Sequence, residues 1–142
     1  MIEIVVLDRQ RARRVAKAPL RRFLRALAAA EPASAARSLG VGLVSDRRMR
    51  ALNRSFRGID RTTDVLAFPD GADGHLGDLV VSIPTAAAQA RAARHSLARE
   101  IRILLIHGYL HLLGFDHETD GGRMLRRQAR LVRRLAGTRT SR

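Results

Sequence analysis

The stretch IRILLIHGYLHLLGFDH, Ile101 to His117, carries three of the chain's five histidines, at positions 107, 111 and 117. Residues 103–106 are apolar on every side, so the spacing predicts a central, buried helix with the rest of the chain built around it. His107 and His111 are four residues apart, which on a helix stacks them on one face with Cβ atoms about 5–6 Å apart. Two imidazoles so placed can reach one ion, at about 2.0–2.1 Å each if the ion is zinc. Gly114 stands where a helix can end in the left-handed turn that glycine adopts at least cost. A chain doubling back there presents His117 to the same ion. Three protein ligands leave a fourth position open, the pattern of a catalytic rather than a structural site. A single histidine on an apolar helix is ordinarily a packed core or surface residue. Three within eleven residues, with a glycine between them, point to a metal. Asp116 reads two ways, as a carboxylate orienting an imidazole or as a turn former.

The spacing H-x-x-x-H-x-x-G-x-x-H is also that of the metzincin proteases, with one difference. Metzincins place a glutamate directly after the first histidine as the general base for peptide hydrolysis; here that position is Gly108. Glu100, the nearest upstream acid, lies seven residues before His107. At 1.5 Å of rise per residue that is roughly 10 Å along the helix, too far to serve the site. A favourable negative charge in the helix's first turn is the role it fits.

A chain of 142 residues fits one domain with one hydrophobic core. With no cysteine, neither disulfides nor thiolate ligands are possible, and histidine must supply a metal site. No apolar run approaches the 18 or so residues of a membrane span, and MIEIVVLD lacks the basic region of a secretory leader. A soluble cytoplasmic protein with no membrane role is the expectation. The formal net charge of +14 favours a polyanionic partner. Of the 27 basic residues only Lys17 is lysine; with so much alanine, a coding bias toward arginine is the competing explanation, leaving a merely solvated surface.

Outward from the histidines, the chain reads as short alternating elements. Ile2, Ile4 and Val6 mark a first strand. A basic linker, Arg9 to Lys17, leads to Pro19 in the first turn of a helix whose buried face is Leu20, Phe23, Leu24 and Leu27. After a loop around Pro32, Leu39 to Ser45 reads as a second strand. Asp46 is placed to N-cap a short helix with Met49, Leu52 and Phe56 on its buried side. Thr63 to Pro69 and Leu76 to Ser82 are two further strands flanking the turn-rich DGADG. Pro84 opens an alanine-rich helix and Ser96 caps the histidine helix. From Asp120 a last helix keeps Met124, Gln128, Leu131 and Leu135 on one face and arginines over the remainder. His75 and His95 read as exposed and inert, and Asp64 and Asp78 as either cleft-bordering or turn and cap residues. The order βαβαββααα predicts an α+β fold over residues 1–142, one domain with a small mixed four-stranded sheet, about five helices and a basic tail from about 137.

Three stretches then match one family. Asn53 to Phe68 (NRSFRGIDRTTDVLAF), Leu76 to Ser82 (LGDLVVS) and His107 to His117 (HGYLHLLGFDH) closely resemble YbeY, the bacterial single-strand-specific endoribonuclease and ribosomal-RNA maturation factor. The similarity spans most of residues 39–132, in order. The resemblance implies a zinc-like ion on His107, His111 and His117, one Zn2+ per chain with Ni2+ as the alternative, and a functional arginine at Arg57. It implies single-stranded RNA, and rRNA in particular, as substrate, with the ribosomal small subunit or its assembly factors as partners. The family usually has Pro where this chain has Thr62 and Ser where it has Ala67, which bears on loop rigidity and not on ligation. It often carries glutamates after the glutamine of the last helix, where this chain has Ala129 and Arg130.

The chemistry implied is phosphodiester hydrolysis. A metal-bound water has its pKa lowered towards 7, so hydroxide is available without a carboxylate base, and a guanidinium supplies forked donors to the phosphate oxygens. Two alternatives stand beside it: a metzincin-like peptidase or amidase, and a ribosome-associated RNA-binding protein whose metal is structural.

Overall fold

The computed structural model describes residues 1–33, 35–116 and 118–137. In chain order these form β1 (Glu3–Asp8), α1 (Lys17–Ala30), β2 (Ser38–Val44), α2 (Asp46–Arg57), β3 (Val65–Pro69), a single 3-10 turn, β4 (His75–Ser82), α3 (Ile83–Ala93), α4 (Leu97–Leu112) and α5 (Arg123–Leu135). The strand order is β1-β2-β4-β3; β1, β2 and β4 run parallel, while β3 pairs antiparallel to β4 as an edge strand. This is the expected α+β architecture with a mixed four-stranded sheet and five helices.

The pleat divides the apolar residues between two faces. Ile4, Val6, Leu39, Val41, Leu43, Leu79 and Val81 join Leu24, Leu27, Leu105 and Leu110 of the helices in the main core. On the other face α2 lays Met49 over Val44 and Leu66 in a second, smaller cluster. Fully burying one such leucine contributes about 1.5–3 kcal/mol, so α4, with nine buried positions among its 16 residues, is anchored by packing rather than by helix propensity. It packs against α3, α5, β3 and β4.

Caps fix where the helices begin and end. Ser45, Ser82 and Ser96 each accept a backbone N–H with the hydroxyl, from Arg48, Thr85 and Arg99. The cap of α2 is therefore Ser45 and not Asp46. Asp46 lies one residue inside, with Oδ1 accepting from the hydroxyls of Ser82 (2.5 Å), Thr85 (2.6 Å) and Thr62 (3.4 Å). Burial pushes its carboxyl up, but the three hydroxyl donors together outweigh that and hold it below the usual aspartate range. The last helix begins at Arg123 and not at Asp120; Asp120 lies in the turn before it, where its carboxylate accepts the N–H groups of Gly122 and Met124.

Phe56 departs from expectation. It shares a helical face with Met49, yet it is 67% exposed. At the last turn of α2 the sheet beneath has reached its edge strand, and Phe68 meets Phe56 edge-on at 5.1 Å. The residue buried behind Met49 is Asn53, whose amide donates to the Arg61 carbonyl at 2.9 Å.

Candidate active site

Between β3, α4 and α5 lies a cleft of about 800 Å3, lined among others by Arg57, Asp64, His107, His111, Phe115 and Gln128. Arg57, His107 and His111, remote in the sequence, thus meet at one place. His117 lies outside the described residues.

The two histidines are presented by consecutive turns of α4, with ring centroids 4.8 Å apart and planes at 74°. Their Nε2 atoms approach to 3.2 Å. Two nitrogens bound to one tetrahedral ion at about 2.0–2.1 Å each stand about 3.3–3.4 Å apart, so the pair fits a shared ion as it stands. Imidazole is also the ligand type zinc and nickel accept readily. Among the described residues no group of three ligating side chains converges on one point. A third ligand would have to come from elsewhere, which is the part the spacing gave to His117. Nδ1 of His107 lies 2.8 Å from Oε1 of Gln128 on α5.

Gly108 has a packing reason. A Cβ built there would lie 2.9 Å from Leu79 Cδ2 and 3.3 Å from Val65 Cγ2, closer than such contacts run. The helix sits this tightly on β3 and β4 because the residue after His107 has no side chain. A glutamate at that position would have to push aside the ends of the Leu79 and Val65 side chains. Gly114, at φ +95°, turns the chain after α4 as its spacing suggested.

Arg57 is the last residue of α2, exposed, and followed by Gly58 in the left-handed conformation (φ +71°). The loop beyond is tied back to α2 by the Asn53 amide and by the Arg50 guanidinium, which forks onto Asp60 at 2.9 and 3.2 Å. The pair at Arg50 is more than half exposed and adds little stability; its geometric effect is to fix the loop next to Arg57. Thr62 adds the hydroxyl contact to Asp46.

The other acids separate cleanly. Asp64 borders the cleft, accepting from its neighbour Val65 N at 2.7 Å and from Gln89 Nε2 at 3.3 Å. Asp116 accepts Glu118 N at 3.1 Å, the turn-forming use. Asp78 projects from the opposite face of the sheet, beside Gly40.

Three polar roles escaped the sequence reading. His75 is not inert: Nδ1 meets Ser38 Oγ at 2.7 Å and Nε2 meets Asp78 Oδ1 at 3.1 Å, linking β2 to β4. His95 is not exposed, with a side chain only 6% accessible and Nε2 2.6 Å from Glu100 Oε1. Glu100 does sit in the first turn of α4, but its partner is this histidine. Gln128 was visible only as a polar residue on the apolar stripe of Met124 and Leu131, which was the available signal.

Comparisons with known proteins place the chain in a family. The family model for Endoribonuclease YbeY matches residues 4–136. An Endoribonuclease YbeY of Moorella thermoacetica is 46% identical over 116 residues, covering 72% of this chain and 74% of the relative. One from Anaeromyxobacter sp. is 48% identical over 121 residues, covering 79% of this chain but 63% of the relative. The solution structure of TM1509 from Thermotoga maritima superposes with a TM-score of 0.64 at 28% identity, over 93% of this chain and 88% of that one. A match that runs from β1 to the end of α5 takes in the whole sheet and every wall of the cleft. The chain belongs to the Endoribonuclease YbeY family.

Proposed function

We propose that this protein is a metal-dependent endoribonuclease, a hydrolase that cuts phosphodiester bonds within single-stranded ribosomal RNA during ribosome maturation and quality control. The observation that carries the reading is the 3.2 Å approach of the His107 and His111 Nε2 atoms inside a cleft that Arg57 also lines. His107, His111 and His117 are the residues that would hold one Zn2+, with Ni2+ as the alternative ion. Such an ion, when bound, supplies a Lewis acid able to make hydroxide available near neutral pH without a carboxylate base.

The chain's own groups do the rest. Arg57 offers two parallel N–H donors to the oxygens of the scissile phosphate, in the forked geometry only a guanidinium has. Charge developing on those oxygens strengthens the contact in the transition state, which makes Arg57 the catalytic residue. Phe115, half-buried in the cleft wall with the Arg123 guanidinium 5.4 Å from its ring, gives an unpaired base a surface to stack on. In a duplex both faces of a base are covered by its stacked neighbours, which supports single-strand selectivity. Gly108 supports this over the peptidase reading, since the position where a metzincin carries its glutamate base has no side chain here. Partners in this reading are rRNA and the small ribosomal subunit or its assembly factors, in the cytoplasm.

The test is cleavage of one RNA sequence presented single-stranded and as a duplex, with casein as the peptide control. Internal cleavage of the single strand alone is expected. Equal cleavage of both RNAs, or turnover of casein in place of RNA, sinks the reading.

A further inference from the structure

We infer that Gln128 is a positioning residue for the candidate metal centre, fixing the tautomer and ring orientation of His107 from the neighbouring helix. This rests on the metal reading proposed above and deepens it. Gln128 is half-buried on α5, between the fully buried Met124 and the 2% exposed Leu131. Its Oε1 lies 2.8 Å from His107 Nδ1 and the residue also lines the cleft. An amide oxygen can only accept a hydrogen bond, so in this arrangement Nδ1 carries the ring proton. Neutral imidazole has one such proton, and Nε2 is therefore left as a lone pair. That Nε2 is the atom 3.2 Å from His111 Nε2, the one able to ligate.

The opposite amide orientation makes the opposite prediction. An NH2 group facing Nδ1 would take the lone pair there and put the proton on Nε2, where it would block the ion. The direction of this one hydrogen bond therefore decides whether His107 is a ligand. Partners of this kind, outside the ligands themselves, are worth about 10–100-fold in metal affinity. The buried stripe of α5 holds the amide in place: Met124 and Leu131, one turn either side, lock the helix against the core.

Glutamate at 128 separates the two orientations, because a carboxylate accepts and never donates. Zn2+ affinity is measured by competition with a chromophoric chelator for the wild type, Gln128→Leu and Gln128→Glu. Gln128→Leu is expected to bind Zn2+ about 10–100-fold more weakly, and Gln128→Glu within a few-fold of wild type. In the chelated protein, nitrogen-15 NMR of the histidine rings reads the tautomer without any metal. His107 is expected as the Nδ1-protonated form in wild type and Gln128→Glu, and as a mixture in Gln128→Leu. Wild-type affinity in the leucine variant, an equal loss in both variants, or an Nε2-protonated His107 in the wild type would overturn the inference. If the wild type binds no Zn2+ while the tautomers behave as stated, the metal reading fails and the positioning of His107 by Gln128 stands.

Discussion

At the scale of single residues, the site joins side chains whose roles differ in how the sequence exposes them. The histidines announce themselves by spacing. Arg57 is one arginine among many and was singled out only through the family resemblance; the fold gives it a place by ending α2 at the cleft. Arg57→Ala should retain fold and metal and lose cleavage by about 100-fold or more, the scale of a removed transition-state donor. Arg57→Lys should recover little, since a point charge does not reproduce the fork; wild-type turnover in the alanine variant contradicts the role. His111→Ala should lose stoichiometric metal, because two ligands hold a tetrahedral site poorly, and full occupancy there would refute the ligand set. Asp46 was legible as a helix-start residue, but its three hydroxyl partners come from distant segments that no local pattern joins. Its depressed pKa means its contribution is present above about pH 4 and disappears as pH falls through the folded value. Asp46→Asn should therefore cost about 1–3 kcal/mol at pH 7, with the gap to wild type closing in acid; denaturant melts at both pH values read this directly.

At the scale of elements, periodicity recovered nearly every helix and strand, because the strands alternate and the helices bury one stripe each. It failed at the end of α2. Residue period says which way Phe56 points but not where the sheet beneath it stops. It also could not show why residue 108 is glycine, a matter of how closely α4 approaches β4. Gly108→Glu should destabilise the protein by about 1–3 kcal/mol through overpacking and create no peptidase activity; a stable variant that cleaves casein would contradict the packing argument. Helix α5 has two unlike sides. Its inner side holds Met124 and Leu131, while Arg126, Arg130 and Arg133 are exposed on the outer one. No acid follows Asp120, and the three stand exposed where phosphates can reach them. Replacing the three with Gln should leave the fold intact and lower the log–log salt slope of single-stranded RNA binding by about two units, at about 0.7 per phosphate contact. An unchanged slope would reduce this face to a solvated arginine surface, the coding-bias explanation.

At the scale of the whole molecule, the two helices that wall the cleft, α4 and α5, are both tied to the end of α1. The fully buried Tyr109 of α4 donates its hydroxyl to the Glu31 carbonyl at 2.7 Å, and Arg127 of α5 stands 3.0 Å from the Glu31 carboxylate. Burial, with the Glu31 charge adding to it, pushes the Tyr109 phenol up to about 12. The neutral phenol is thus favoured by folding: its contribution is complete below about pH 10 and is lost as pH rises through about 12. Tyr109→Phe should lower stability by about 1 kcal/mol at pH 7 and flatten the alkaline decline, as thermal melts from pH 8 to 11.5 would register; parallel curves for the two proteins would rule the phenol out. The chain carries a formal net charge of +14, and the fold turns its histidine pair into a cleft that Arg57 also lines. The most direct measurement is cleavage of single-stranded rRNA by the purified protein, with bound metal quantified, before chelation, after it and after restoring Zn2+. Near-stoichiometric metal, loss of cleavage on chelation and its return with Zn2+ are the predicted result. Undiminished cleavage by metal-free protein would contradict the account.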